Sequence, residues 1–346
     1  MSGQMDNGFM KLDGSYGEGG GQILRTAVAL SAVTGKPVEI YNIRKKRPKP
    51  GLAAQHVKAV ESVASICEAE MEGCSLHSTR LSFKPGKIKG GAYEFDIGTA
   101  GSISLLLQCL MPAAMLAPQP VRVSITGGTD VSWSPSIDYM RFVTLGALSR
   151  MGYDCGINVI RRGYYPRGGG NVEAIINPSV LRDRSFDMNQ CAIIEGISHS
   201  SGLPPHVTER QASSAEKILR EAGYPAKISL EVNEQPSTGS GLTLWCGTAG
   251  GTALGRPGLR AEKVGSSAAE SILAELKSGA GVDIYLADQL IPYIALAGGG
   301  SFTTRTITLH TKTSIWVTEQ FLDVKFNIEE LKSGLFRVSV LSNLST

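Results

Sequence analysis

The chain has 346 residues, of which 42% are hydrophobic and 19% charged, with a formal net charge of +3. This length can form one large or two ordinary domains, and the small net charge does not by itself indicate a nucleic-acid-binding protein. The most apolar stretch, 105–117, is interrupted by Gln108 and Pro112 and is too short to span a membrane. The N-terminus lacks the basic and apolar regions of a secretory signal. We therefore expect a cytoplasmic protein that does not insert in membranes.

Six cysteines are spread along the chain without a C-x-x-C pair or a metal-ligand spacing to histidine. They are Cys67, Cys74, Cys109, Cys155, Cys191 and Cys246. This usage predicts reduced thiols.

Hydrophobic periodicity predicts the element order α-β-α-β-β three times along the chain. The first unit has helices at 21–34 and 52–69 and strands at 37–42, 79–85 and 91–97. The second has helices at 102–116 and 136–152 and strands at 121–126, 155–163 and 171–177. The third has helices at 283–296 and 314–322 and strands at 302–309, 324–329 and 335–341.

About 100 extra residues, roughly 182–280, separate the second unit from the third. Their pattern predicts strands at 192–198, 226–232 and 242–247 and helices at 208–222 and 261–278. A segment of this size can bury a small core of its own. The predicted fold is mixed α/β (α+β): a large domain of three repeats, 1–181 and 281–346, with a smaller α/β domain at 182–280 inserted before the third unit.

The repeat aligns three loops that follow the first strand of each unit. They contain the basic run Arg44–Lys49, the turn Gly127–Asp130 and, in the third unit, His310. Loops at equivalent strand ends are predicted to converge on one cleft, where α/β sheets usually carry their chemistry. A histidine there can carry a proton, bind a metal or accept a phosphoryl group. Alternatively, a basic run is a solvated face and a lone histidine is structural.

Several polar residues near these loops suit a phosphorylated ligand. The glycine-rich turn 17–21 matches neither nucleotide-binding pattern, yet a helix start can bind an anion near Arg25, and Glu18 can bind a divalent cation. Gln55 lies beside the basic run, and Gln108 lies in a very apolar helix. Each has a plain alternative, namely a flexible turn, an exposed carboxylate or a structural hydrogen bond. His199 is predicted to be solvated in a polar loop.

Segments along nearly the whole chain closely resemble the RNA 3′-terminal phosphate cyclase family. The matching segments are Leu12–Arg25, Ile43–Leu52 with Gln55 and His56, Gly98–Ser102, Gly127–Asp130, Tyr164–Gly170, Tyr285–Gln289 and the segment around His310. The family fold, three α/β repeats with a small domain inserted before the third, agrees with the periodicity.

The resemblance implies that ATP and an RNA 3′-phosphate are the substrates and a 2′,3′-cyclic phosphate is the product. His310 would attack the α-phosphorus of ATP, and the AMP would pass to the RNA phosphate before the 2′-hydroxyl expels it. Asp288 would orient or activate His310, and Glu18 would help to bind Mg²⁺ or Mn²⁺. The residues expected to contact ATP or phosphates are Arg25, Arg44, Gln55, Gln108, Asp288 and Gln289, together with Tyr285 and Pro135 packed on adenine.

The chain departs from the family pattern at a few positions. Ser314 stands where the family often has Asn, Lys45 and Lys46 where it has small residues, and Ala53 where it often has Arg. The last change puts one RNA-phosphate contact in doubt. The alternatives are a non-catalytic cyclase-like protein of RNA processing or ribosome biogenesis, and an enolpyruvyl transferase built from similar repeats. The presence of His310 favours an enzyme. The sequence leaves the quaternary state open, a homodimer included.

Overall fold

The structure is a computed structural model that describes residues 5–6, 8–234 and 236–342. Its helices are α1 (Gly21–Thr34), α2 (Ala54–Cys67), α3 (Ile103–Ala114), α4 (Ile137–Tyr139), α5 (Leu145–Arg150), α6 (His206–Glu221), α7 (Ala261–Ser278), α8 (Ile284–Leu296) and α9 (Leu309–Phe321). A π-helical turn, Met140–Thr144, joins α4 to α5.

The strands form four sheets, and three of these repeat one topology. The strands are β1 (Met5–Asp6), β2 (Phe9–Asp13), β3 (Val38–Tyr41), β4 (Glu70–Glu72), β5 (Leu81–Lys84), β6 (Gly91–Asp96), β7 (Val121–Gly127), β8 (Cys155–Arg161), β9 (Gly170–Ile176), β10 (Ser185–Phe186), β11 (Ile194–Ser201), β12 (Ala226–Asn233), β13 (Gly239–Cys246), β14 (Ala249–Leu254), β15 (Ser301–Thr304), β16 (Val324–Glu330) and β17 (Phe336–Ser342).

The repeated sheets run β2-β3-β5-β4, with β1 at the edge, then β6-β7-β9-β8 and β10-β15-β17-β16. In each, the first two strands are parallel and the remaining pairs antiparallel. The predicted mixed α/β class with three repeated units is confirmed. The structure adds an opening strand to every unit, so each reads β-α-β-α-β-β.

Two strand assignments change as a result. The strand predicted at 91–97 is β6, which opens the second sheet by pairing with β7 and does not close the first. The first unit closes instead with the hairpin of β4 and β5. All three residues of β4 are exposed. This strand therefore has no hydrophobic alternation to reveal it, and only its pairing with β5 defines it.

The inserted segment has its own sheet and core. Its sheet runs β12-β11-β13-β14, and α6 and α7 pack on it around buried residues such as Leu219, Leu244 and Ile272. β10 lies within the predicted insert yet pairs with β15, so the chain contributes a strand to the third sheet before it enters the insert. The hairpin partner β14 was not predicted, because its Ala-Gly-Gly start lacks the residues that favour strands.

Helix α1 is central to the larger core. It packs against α2, α3 and α9, and it buries Ile23, Leu24, Val28 and Leu30 among other residues. Helix α8 packs against α9 in turn. The start of α1 is therefore held beside residues of the third repeat, far away in the sequence.

Cys191 and Cys246 form a disulfide, with their Cα atoms 5.3 Å apart. The prediction that all cysteines are reduced is wrong for this pair, whose proximity depends on how β13 lies beside the segment before β11. The other four cysteines are free. Among the described helices, none is long and apolar enough to cross a membrane.

A buried ion-pair network joins the second repeat to the insert. Arg162, 2% exposed, contacts Asp130 (3.1 Å), Asp138 (2.8 Å) and Glu231 of β12 (2.7 Å). His199 of β11 is fully buried, and its Nε2 lies 3.4 Å from Asp130. The prediction of a solvated His199 is wrong. Its neighbours in the sequence are polar, but its side chain points into the protein interior, where it meets the buried Asp130.

This network determines where the loop Gly127–Asp130 points. Although burial would raise the pKa of Asp130, the charges of His199 and Arg162 hold it below its usual value. Ligand-type atoms of Asp130, Asp138 and His199 lie within 4.8 Å of one another. Because the Arg162 guanidinium already supplies positive charge among them, we assign the cluster to ion pairing. Asp130 thus faces the insert and not a cleft shared with His310.

Replacing Arg162 with methionine is expected to destabilise the protein by about 3–5 kcal/mol, since two buried carboxylates lose their counter-charge. The free energy of unfolding in urea measures this. The control is Arg210→Met, which breaks an exposed pair with Glu262 and should change stability little. Equal stabilities of the two variants would contradict the role given to Arg162.

Candidate active site

His310 lies in the first turn of α9. The Thr308 side chain caps this helix by accepting a hydrogen bond from the Thr311 backbone N–H (3.0 Å). β15 ends at Thr304, so the predictions of a strand to residue 309 and a helix from 314 are wrong. The alternation Thr306-Ile307-Thr308-Leu309 imitates a strand, while the cap starts the helix within it. His310 thus lies at a helix N-terminus, which favours negatively charged ligands.

The Gln22 side chain connects His310 to Asp288. Its Nε2 donates to Asp288 Oδ2 (3.1 Å) and to the His310 carbonyl (3.0 Å), and its Oε1 lies 2.7 Å from His310 Nδ1. Two acceptors fix the amide orientation, so Nδ1 must carry the proton that it shares with Oε1. In neutral His310 the lone pair is then on Nε2. Asp288 reaches the imidazole through this amide.

Glu18 and Arg47 stand on the other side of the imidazole. Glu18 Oε2 lies 3.0 Å from His310 Nε2 and 3.5 Å from Arg47 Nη2. Burial lowers the pKa of His310; Glu18 opposes this, and the charges of Arg25 and Arg47 add to it. The lowered pKa favours the neutral imidazole, the form that a nucleophile needs.

Asp288 has an unusual protonation equilibrium. Burial raises its pKa to about 7; Arg25 opposes the shift, and the charges of Asp283 and Glu18 add to it. The carboxyl group that Gln22 connects to His310 thus titrates near neutrality, as is common for acids in functional sites.

Gly21 is required by the packing at the start of α1. A Cβ there would overlap the His56 ring and lie 2.9 Å from Arg25 Nη1. His56 Nδ1 accepts from the Ala53 N–H (3.0 Å), so its Nε2 bears the proton. Burial, with the charges of Arg25 and Arg44, lowers the pKa of His56 to about 3. His56 is thus a neutral donor beside Arg25.

The basic loop places Arg47, and not Arg44, nearest to His310. Arg44 has a left-handed backbone (φ +54°), and its Nη1 donates to the Gly51 carbonyl (2.7 Å), which closes the loop. Arg47 Nη2 lies beside Glu18 and would be 3.2 Å from a Cβ at Gly20. Arg47 is therefore the cation of this loop whose charge acts on His310, and the phosphate contact of Arg44 stays a prediction.

Gln108 and Gln289 line one pocket with Gln22, Arg25 and Asp288. The pocket encloses about 490 Å³, part of it open to solvent. The Gln289 side chain accepts from Thr144 Oγ1 (2.9 Å) and donates to the Tyr285 carbonyl (2.9 Å). Thr144 belongs to the π-helical turn, so this irregular turn shapes the pocket wall.

The remaining predicted residues lie outside this pocket lining. Gln55 Oε1 accepts from the Ser102 N–H (3.2 Å) and joins the first repeat to the second. The Pro135 carbonyl accepts from Ser104 Oγ (2.6 Å), and Tyr285 is 56% exposed in the first turn of α8.

Two residues of the site were not singled out from the sequence. Gln22 directly follows the run Gly19-Gly20-Gly21, and Arg47 lies within the basic run. A polar side chain at the start of an apolar helix was a usable signal for Gln22. No local pattern distinguishes Arg47 from its basic neighbours.

The family model of the RNA 3′-terminal phosphate cyclases matches residues 16–328. The chain is 56% identical to the RNA 3′-terminal phosphate cyclase of Methanosarcina acetivorans, covering 96% of this chain and 100% of the relative. It is 58% identical to that of Methanosarcina barkeri, with the same coverages. Identity to that of Pyrococcus furiosus is 46%, covering 94% of this chain and 95% of the relative.

Among solved structures, the enolpyruvyl transferase NikO from Streptomyces tendae aligns with 60% of this chain and 38% of its own. The TM-score is 0.28 and the identity 12%, so this likeness supports no conclusion about fold or activity.

The pKa of Asp288 gives a pH-dependent expectation. The folded protein keeps this proton up to about pH 7, whereas the unfolded chain loses it near the ordinary value of 3.8. Wild-type stability should therefore fall as pH rises between these values. Asp288→Asn lacks this loss and should gain on the order of 2–4 kcal/mol over wild type between pH 4 and pH 8. Urea unfolding across this range measures it.

The exposed Asp183 offers a matched control, since Asp183→Asn removes a carboxylate from the surface and should change stability little. A constant difference between Asp288→Asn and wild type would show that Asp288 is ionised throughout.

Proposed function

The chain belongs to the RNA 3′-terminal phosphate cyclase family, and we propose that it converts an RNA 3′-terminal phosphate to a 2′,3′-cyclic phosphate with ATP as co-substrate. The observation that carries this proposal is the orientation of His310. Gln22 accepts a hydrogen bond from Nδ1, so the lone pair of neutral His310 is on Nε2, which lies in the first turn of α9 and 3.0 Å from Glu18 Oε2. Gln22 also lines the pocket that contains Arg25 and Asp288.

In the first step, His310 Nε2 attacks the α-phosphorus of ATP. An N–P bond forms, the bond to the bridging oxygen breaks, and pyrophosphate leaves. The lowered pKa of His310 keeps the lone pair available, and the hydrogen bond from Nδ1 to Gln22 stabilises the positive charge that develops on the ring. Arg25 and Arg47 lie close enough to influence this imidazole and suit the phosphate oxygens.

In the second step, an oxygen of the RNA 3′-phosphate attacks the histidine-bound AMP and regenerates His310. The RNA then carries a mixed anhydride. In the third step, the vicinal 2′-hydroxyl loses its proton and attacks the 3′-phosphorus, and AMP leaves. The covalent route is needed because a phosphate oxygen is a poor leaving group until it is bonded to AMP.

Glu18 fits the role of a metal ligand. Its carboxylate is about one-third exposed, and it lies between His310 and Arg47. Mg²⁺ and Mn²⁺ often bind one carboxylate together with substrate phosphates, and Glu18 is the carboxylate placed for this. A cation held there would neutralise charge on the phosphates.

His310→Ala and His310→Asn are expected to abolish covalent AMP labelling by α-labelled ATP, since neither side chain can form the phosphoramidate. The added mass of one AMP on wild type should map to the peptide that contains His310. Lys312→Ala is the control, because Lys312 is the nearest other nitrogen nucleophile in the sequence. Normal labelling of both His310 variants, or none of wild type, would favour the non-catalytic alternative or another nucleophile.

Gln22→Ala is expected to slow AMP labelling roughly 10- to 100-fold, because His310 loses its orientation and its fixed tautomer. Gln22→Glu still accepts from Nδ1 but adds a negative charge, so the pH–rate profile of labelling should shift to higher pH. Gln320→Ala on α9 is the control and should label as wild type. An unshifted profile in Gln22→Glu would remove Gln22 from its positioning role.

A further inference from the structure

The segment Tyr164–Gly170 has no part in the chemistry proposed above, yet it carries an exposed aromatic ring. Tyr165 is 78% exposed, and Arg167 two residues later is exposed as well. No acidic residue occurs between Gly163 and Gly170. Single exposed aromatic residues are common on protein surfaces and need no explanation by themselves. What distinguishes Tyr165 is the support beneath it.

The loop that carries Tyr165 is anchored on three sides. Tyr164 is buried, with its hydroxyl 2.8 Å from His199 Nδ1 and its N–H donating to Ser237 Oγ (2.9 Å). Arg167 Nη1 donates to the Pro236 carbonyl (2.7 Å). This hydrogen bond fixes the guanidinium of Arg167, and its remaining N–H groups can donate to a ligand. Because such a loop is already ordered, a ligand that stacks on its ring binds with only a small cost in conformational entropy of the protein.

The same loop is connected through a series of contacts to the start of α1, where Gln22 lies. Gly168 packs so closely on the second repeat's Gly98–Ser102 turn that a Cβ there would lie 2.7 Å from Ala100 Cα. That turn is bonded to Gln55 through the Ser102 N–H. Gln55 precedes His56, which packs on Gly21 beside Arg25. Contiguous contacts therefore run from the Tyr165 loop to the start of α1.

We infer that the Tyr165–Gly168 loop binds the RNA strand on the 5′ side of the reacting end, with a base stacked on Tyr165 and a backbone phosphate on Arg167. Aromatic rings beside guanidinium groups bind single-stranded nucleic acid without sequence preference, because every base has a stacking face. The absence of acidic residues from the loop suits a polyanion. This inference rests on the proposed function for the identity of the ligand.

Fluorescence anisotropy with a single-stranded RNA of about ten nucleotides tests the loop directly. Tyr165→Ala should weaken binding roughly 5- to 100-fold, whereas Tyr165→Phe, which keeps the ring, should bind within about twofold of wild type. Arg167→Ala should weaken binding and reduce the salt dependence by about one phosphate contact. Arg220→Ala, at an exposed arginine on α6, removes the same charge and should bind as wild type.

Cyclisation kinetics supply the second test. A dinucleotide 3′-phosphate ends, on this inference, before the loop. With this substrate Tyr165→Ala should keep the wild-type KM, while its KM for the longer RNA rises. AMP labelling of His310 should be unchanged, which also shows that the variant is folded. Unchanged RNA affinity in Tyr165→Ala, or an equal loss with the dinucleotide, would overturn the inference. If wild type fails to label with AMP, the proposed function fails, and the anisotropy measurements still decide whether the loop binds RNA.

Discussion

The hydrogen bonds of one glutamine amide are the constraint on which the candidate site depends. Gln22 begins α1, and its partners Asp288 and His310 belong to α8 and α9 of the third repeat. Packing of α1 against α9, and of α8 against α9, keeps these three side chains within hydrogen-bond distance of one another. Since an amide with two acceptors on its nitrogen cannot flip without losing both bonds, helix packing determines which nitrogen of the neutral imidazole carries the lone pair.

The electrostatics of the site follow from the same burial. Enclosure lowers the pKa of His310 and His56 and raises that of Asp288. Each shift removes a charge that low-polarity surroundings would destabilise. The arginines remain charged, so the site places the imidazoles of His310 and His56 near the cations of Arg25, Arg44 and Arg47. This combination suits the proposed nucleophile, which must stay unprotonated beside phosphate substrates.

The three repeats share a topology but not a role. The strand-end loop of the first repeat brings Arg47 to Glu18, and the third repeat brings His310 there at the start of α9. In the second repeat, the equivalent loop places Asp130 in the buried network with Arg162 and His199. That loop therefore anchors the inserted segment. Its neighbour, the Tyr165 loop, keeps an exposed surface. The pseudo-symmetry of the strands does not extend to the side chains.

The sequence by itself determined the mixed α/β class, the three units and the candidate status of His310, because these depend on local periodicity and on residue type. Only the tertiary structure decided that the Gln22 side chain connects Asp288 with His310, because Gln22 precedes Asp288 by 266 residues and His310 by 288. It also decided that His199 is buried and that Cys191 pairs with Cys246. The start of α9 was missed although its cap, Thr308, is local in the sequence. The residues 306–309 alternate polar and apolar as a strand does, and the cap lies within them. Long-range partners and the environment of a polar side chain arise only when distant segments pack together.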